Sequence, residues 1–279
     1  MNIIENAIWQ VESNLRRPMT LEEIAAECRV TPSYLTRAFA AVTGSSLMRY
    51  ARARRLTEAA RILALGVPDI LSLALDAGYG SHEAFTRAFR EHFGTTPESV
   101  RDARRTGNLE LTEPMIMDAT PEITLAEPTF EKRTSMLLVG LVQQFQMQNI
   151  GAIPSLWEKF NAHHRQIPNV IGTAAYGASL SFSDEAGCEY MCGVEVSDFS
   201  DVPPELTGRT LPAATYAKFR QPGHITLIRA TIGTIWNSWL PKSGYEPHEQ
   251  APLIEYYPPK FNSETGAGGF EIWIPVKTR

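Results

Sequence analysis

The spacing of apolar residues predicts a helical first half. From Thr20, the apolar positions Leu21, Ile24, Ala25 and Cys28 recur at three- and four-residue intervals, the period of a helix buried along one face. Thr20 is placed to cap that helix, and Glu22 and Glu23 put carboxylates in its opening turn, where the helix dipole is positive. After Arg29 and Val30, Thr31 is a second N-cap, and Pro32 stands at the first helical position, where a missing N–H is harmless. Leu35, Ala38, Phe39 and Val42 then repeat at helical spacing until Gly44, a helix-ending residue. This leaves Ser33, Thr36, Arg37 and Ala40 facing outward. The pattern returns from Asp69 through Leu71, Ala74 and Leu75 to a turn at Gly78-Tyr79-Gly80. Ser81 caps a further helix with Phe85, Ala88, Phe89 and Phe93 inward, His82, Glu83, Thr86, Arg87 and Arg90 outward, and Gly94 as its stop.

These two stretches are copies. Thr36-Arg37-Ala38-Phe39 recurs fifty residues later as Thr86-Arg87-Ala88-Phe89, and at the same offset Gly44 matches Gly94 and Leu21 matches Leu71. Each copy reads as two helices with a short turn. Between them, Ser46 to Leu65 contains no Gly or Pro and carries Arg49, Arg52, Arg54, Arg55 and Arg61. A helix of about 20 residues is about 30 Å long, close to the roughly 34 Å that separates successive major grooves. Two helix-turn-helix units held at that spacing are suited to double-stranded DNA.

The second half changes character. Thr106 to about Glu127 contains Gly107, Pro114 and Pro121 and reads as a linker, so the expected domains are residues 1–106, a linker 107–126, and 127–279. A weaker repeat follows. The strand-like Arg133–Gly140 has a partner in Arg209–Tyr216, Leu156-Trp157 in Ile235-Trp236, and Glu189-Tyr190-Met191 in Glu271-Ile272-Trp273. Each copy reads strand, helix, strand, strand, and two copies paired as a pseudo-dimer would share a central cleft. Alternation along a strand puts Glu255 with Tyr257 and Glu271 with Trp273, and sets Tyr190 opposite Glu189 and Glu195. The expected fold is therefore an all-α double helix-turn-helix domain followed by a duplicated α+β domain.

Composition narrows the class. The chain has 279 residues, 43% hydrophobic and 20% charged, which is ordinary globular material of about two domains. It begins at Met1 without a basic-then-apolar leader, and the uncharged run from Thr134 to Trp157 is interrupted by Gln143, Gln144 and Gln146, so neither secretion nor a membrane partner is expected. Three cysteines fit a reducing cytoplasm, the expected location. The net charge of −5 is unevenly divided. Up to Thr106 there are fourteen arginines, no lysine and twelve acids; beyond it, twelve basic residues face nineteen acids. Arginine favours forked recognition of guanine and phosphate, so the DNA-facing surface belongs to the first half.

The segment from Gly78 to Pro97, GYGSHEAFTRAFREHFGTTP, followed by Arg101, resembles the signature of AraC/XylS-type transcription regulators, over about residues 3 to 105. The resemblance implies a recognition helix in the major groove for each unit, with Ser33, Thr36 and Arg37 reading bases in the first and His82, Glu83 and Arg87 in the second, beside Thr86 and Arg90. Residues 127 to 279 resemble the GyrI-like effector-binding domain, most clearly at Trp236-Asn237-Ser238-Trp239-Leu240-Pro241, Ile254–Tyr257 and Glu271–Val276. The order of the two domains looks Rob-like, and the resemblance places Glu255 in a pocket beside aromatic residues.

A carboxylate framed by aromatic faces suits an organic cation. The expected ligand residues are Glu255, Tyr257, Trp236, Trp239, Trp273 and Tyr190, while Trp157 is expected in the core. Cys188 and Cys192, four apart on a strand and about 13 Å apart if extended, are too distant to share a metal. No metal, cofactor or catalytic residue is expected. The reading is a ligand-controlled transcription regulator, expected to be an activator, with DNA, a small-molecule effector and RNA polymerase as partners. The alternatives are a protein that sequesters a small molecule while binding DNA constitutively and, less favoured, a GyrI-like hydrolase with Glu255 as general base.

Overall fold

The computed structural model describes residues 3–66, 69–115, 123–146, 152–183 and 187–278. Contacts group the chain into two compact units, one of Met1–Leu35 with Ser46–Asp118 and the other of Thr36–Ser45 with Ala119–Arg279. The first is helical: α1 (Ile3–Ser13), α2 (Leu21–Glu27), the start of α3 (Pro32–Thr43), α4 (Leu47–Ala64), α5 (Ile70–Asp76), α6 (His82–Phe93) and α7 (Pro97–Ala103).

Its local structure follows the caps. Thr20 and Glu23 form a reciprocal capping box at α2, Thr31 accepts from the Tyr34 N–H, and Ser81 accepts from the Ala84 N–H. Gly44 and Gly94 occupy the left-handed region at φ 69° and 70°, so the two copies stop their second helices in the same conformation. The turns between helices match as well. Arg29 (φ 58°) and Gly78 (φ 81°) take the same left-handed geometry, which costs an arginine about 1–2 kcal/mol and glycine little.

Two expectations about helix faces are corrected. In α5 the buried residues are Ile70, Leu73 and Ala74, followed by Ala77, whereas Leu71 and Leu75 are exposed. Both registers are apolar in sequence, and packing against Phe85 and Phe89 selects the one that starts at Ile70. Ala40, expected outward, is buried, because Thr36–Ser45 groups with the second unit.

The long helix α4 organises the first unit. Arg54 is buried on it and makes a two-pronged ion pair with Glu12 of α1 (Nε–Oε1 and Nη2–Oε2, both 2.9 Å), while Nη1 donates to the Thr112 carbonyl at 2.9 Å. The Thr112 N–H in turn donates to Thr57, and the Met115 N–H donates to the Tyr50 hydroxyl. Leu109 and Leu111 pack against the second helix-turn-helix core. Residues 107–115 of the expected linker are therefore laid along α4; residues 116–122 lie outside the described residues.

Among the described residues, the second unit holds a nine-stranded antiparallel sheet and, besides its part of α3, two α-helices. The strands are β1 (Thr129–Arg133), β2 (Met136–Phe145), β3 (Ala175–Ser183), β4 (Gly187–Glu195), β5 (Thr207–Leu211), β6 (Ala214–Gln221), β7 (Tyr245–Pro247), β8 (Leu253–Tyr257) and β9 (Phe270–Thr278). The helices are α8 (Ile153–His163) and α9 (Ile228–Thr234), the latter continuing into a π-helical turn at Ile235–Trp239. The expected single strands Arg133–Gly140 and Arg209–Tyr216 are each broken in two, at Thr134-Ser135 and at Pro212-Ala213. Proline lacks the N–H that a ladder needs.

The strand order β1-β6-β9-β8-β3-β4-β2-β5 begins on β1 and has β2 next to its far end. Only two residues join β1 to β2, and two join β5 to β6. Such links span about 11 Å at most, so the sheet must curl back on itself. Arg133 pairs with Ala214 and Met136 with Leu211, so the segments 129–145 and 207–221 run antiparallel beside each other across the closure. Residues from seven strands, among them Leu138, Tyr176, Met191, Leu211, Tyr216, Ile254 and Trp273, form one cluster inside the curl. The two copies are related by an approximate two-fold axis. It passes through the β3·β8 ladder, where Gly177 pairs with Glu255, its own counterpart in the repeat.

Removal of Glu12 takes the two-pronged partner from the buried Arg54 charge and leaves it Glu58, at 3.4 Å, and the Thr112 carbonyl. Glu12→Ala is expected to cost roughly 3 kcal/mol, the low end for breaking a buried pair because the Glu12 side chain is 23% exposed. Urea denaturation of wild type and variant measures this.

Candidate functional site

On α6 the outward residues are set by the Ser81 cap and the buried Phe85 and Phe89. Glu83, Arg87 and Arg90 are exposed, spaced along one side of the helix. Backbone N–H bonding at the helix start, then the Ser81 hydroxyl, hold the Glu83 carboxyl below its ordinary range, so it is ionised and acceptor-only. His82 is engaged with α7, its Nε2 lying 2.9 Å from Glu98 Oε1. Thr86, expected among the readers, has its hydroxyl oxygen buried, because it sits on the boundary of the apolar face between Phe85 and Phe89. On α3, Ser33, Thr36 and Arg37 are partly exposed.

The second site lies on the face of the curled sheet that carries α8 and α9. Glu255 is buried at the two-fold axis. Its Oε2 accepts hydrogen bonds from the Tyr190 hydroxyl at 2.6 Å and the Tyr257 hydroxyl at 2.9 Å. The Trp157 indole donates to the Tyr190 oxygen at 3.1 Å and meets the Tyr257 ring edge-on at 5.0 Å. Phe261 packs on the other side of Tyr257, at 4.7 Å. Trp236, Ile232 and Phe160 complete the walls of the cleft. Burial drives the Glu255 pKa up, and the two phenol hydrogen bonds offset only part of that rise. Both tyrosines are pushed well above their ordinary value, first by burial and then, for each, by the Glu255 charge. Burial lifts the Cys188 and Cys192 thiols to about 12, so they are unreactive hydrophobes here.

The axis makes the site asymmetric. Where the second copy has Glu255, the first has Gly177, and by the same ladders Ile272 of the second copy answers to Cys192 of the first; Trp157 is the counterpart of Trp236. Two carboxylates facing each other across the axis would repel, and the glycine removes one of them.

The structure thus brings Glu255, Tyr257, Tyr190 and Trp236 together and separates two other expected members. Trp273 is on the opposite face, inside the curl, because it pairs with Ile254 rather than Glu255. There it stacks on Tyr256 at 5.2 Å, lies under Lys218 Nζ at 4.5 Å, and donates to Glu271. Trp239 packs against Phe219 and Tyr245, outside the cleft lining. A π-helical turn advances fewer degrees per residue than an α-helix, so Trp236 and Trp239, three apart, diverge. Sequence reasoning missed Trp157 and Gly177. A glycine within a strand, aligned by the repeat with a glutamate, is the signal that would have found the second.

Residues 126–277 match the family of GyrI-like small molecule binding domains, which covers more than half of the chain. The chain belongs to the GyrI-like family. Residues 24–103 match a helix-turn-helix domain family. The chain is 26% identical to the transcriptional regulator Rob of Salmonella typhimurium, over 99% of this chain and 98% of that protein. It is 27% identical to the right origin-binding protein of Escherichia coli, over 92% of this chain and 90% of that protein. It is 34% identical over 99 residues to the regulatory protein SoxS of Salmonella typhimurium, covering 36% of this chain and 92% of SoxS. An AraC-type helix-turn-helix domain before a GyrI-like domain is the Rob-like arrangement. No described helix is long and apolar enough to cross a membrane.

Glu255 predicts a pH dependence. Its folded-state pKa lies above the unfolded value near 4.5, so its folded state is favoured while both states hold the proton. Stability is lost as pH rises from about 4.5 through the folded pKa. Glu255→Gln, neutral throughout, is expected to remove that slope, measured by denaturation of both proteins at about pH 5 and about pH 8.

Proposed function

We propose that the protein is a sequence-specific DNA-binding transcription regulator whose activity responds to a small organic cation bound at Glu255. The observation that carries the first part is the pair of matched helix-turn-helix copies in one chain, with free arginines on the second recognition helix. One chain then supplies both readers of a site about two helical turns long. Arg87 is the residue suited to two-pronged contact with guanine O6 and N7, as is Arg37 in the first copy once its guanidinium leaves the Glu249 carbonyl. Full-length similarity to Rob supports the same reading.

The effector class comes from the cleft. A buried carboxylate bordered by Tyr257, Trp157, Trp236 and Phe261 offers ion pairing and aromatic faces to a cation. Control by such a ligand requires that it bind two states of the protein unequally. Activation, with RNA polymerase as a further partner, is the proposed sign of regulation. The role is non-enzymatic and cytoplasmic.

Selection of genomic fragments with purified protein, with and without lipophilic cations such as tetraphenylphosphonium, tests the whole proposal. A motif of about two turns whose affinity changes with the cation is expected. An unchanged affinity despite bound cation supports sequestration instead, and the absence of any motif overturns the regulator reading. Arg87→Ala is expected to lose about 1–3 kcal/mol on the selected site and less on random DNA, by titration in a gel-shift assay. Equal losses on both would make Arg87 a phosphate contact.

A further inference from the structure

We propose that Trp157 is a positioning residue of the cleft, acting through the Tyr190 hydroxyl to direct its proton onto Glu255 and so favour the charged carboxylate. This rests on the reading of the cleft as a cation site.

The argument is one of hydrogen-bond inventory. The Tyr190 oxygen has two polar neighbours, Trp157 Nε1 at 3.1 Å and Glu255 Oε2 at 2.6 Å. A phenol oxygen donates its one proton and accepts at its lone pairs, whereas an indole N–H only donates. Trp157 therefore occupies the accepting side of the Tyr190 oxygen, and the single phenol proton is left for Glu255. Without the indole, Tyr190 could turn and accept a proton from a neutral Glu255, an arrangement that burial favours. The indole disfavours that option by filling an acceptor site on the Tyr190 oxygen, and a phenol proton donated to Glu255 favours the charged form.

The geometry depends on Gly177. Tyr190 stands on β4 and Glu255 on β8, with β3 between them, about 9.5 Å from strand to strand. The tyrosine reaches across β3 over Gly177, where a Cβ would collide with the Tyr190 hydroxyl and lie 2.8 Å from Glu255 Oε2. Trp157, on α8, comes down on the far side of the same hydroxyl and also rests against Tyr257. A purely structural Trp157 would need the edge-on ring contact but not the N–H.

The test is a double-mutant cycle read by calorimetric titration of tetraphenylphosphonium into wild type, Trp157→Phe, Tyr190→Phe and the double variant. Phenylalanine keeps a ring against Tyr257 and loses only the donor. Trp157→Phe is expected to weaken binding about two- to tenfold in the wild-type background and to change nothing further in the Tyr190→Phe background. Equal loss in both backgrounds, or no loss in either, overturns the proposal. A second measurement leaves Trp157 in place. The indole N–H resonance of Trp157 is expected to shift in Tyr190→Phe and also in Glu255→Gln, to which it connects only through Tyr190; an unmoved resonance in Glu255→Gln overturns the proposal. A wild-type protein that ignores tetraphenylphosphonium overturns the cation reading alone, and the resonance still decides the role of Trp157.

Discussion

Burying an ionisable carboxyl is the most costly single act in the second unit, and the elements around Glu255 are arranged to offset it. An isolated buried carboxylate costs several kcal/mol even after relaxation, unless hydrogen bonds replace its water. Two phenols supply those bonds, from strands on either side of β3 and from the same strand as the acid itself. That in turn requires a position on β3 with no side chain, which Gly177 provides. It also requires the sheet to be curled so that α8 can lower Trp157 onto the group.

The pseudo-symmetry explains how such a site arises. Duplication of a strand-helix-strand-strand unit brings equivalent positions face to face at the axis. Strict symmetry would give two acids or none. Divergence at Gly177/Glu255 leaves one acid, with the Tyr190 and Tyr257 hydroxyls around it. The inner face diverges toward the opposite solution. There Arg133, Lys218, Glu131, Glu195 and Glu271 satisfy one another around Trp273 and close the curl. The inner face holds these charges paired, and the other holds Glu255 against two neutral phenols.

The helical unit shows the same economy in simpler form. Arg54, one of five arginines on the central helix segment, is consumed by Glu12, Glu58 and the Thr112 carbonyl and is not available to phosphate. Arg87 and Arg90 stand on a helix whose inner side is filled by phenylalanines, so their heads are exposed. Burial therefore separates the structural Arg54 from the exposed Arg87 and Arg90.

The sequence by itself determined the two helix-turn-helix copies, their caps and stops, the order of the domains, and Glu255 with Tyr257 as a same-face pair. These depend on local periodicity, capping chemistry and strand alternation, which act within a few residues. It left undecided which apolar register of α5 is buried, since Leu71 and Leu75 are as apolar as Ile70 and Leu73. Tertiary structure alone decided that choice, the break of the first strand of each copy, and the face on which each tryptophan falls. Trp273 was placed with Glu255 by aromatic content, but strand pairing put it behind the sheet. Trp157 was read as core, but the descent of α8 put its N–H on Tyr190. Both outcomes depend on contacts between residues far apart in the chain, where neither periodicity nor propensity carries information.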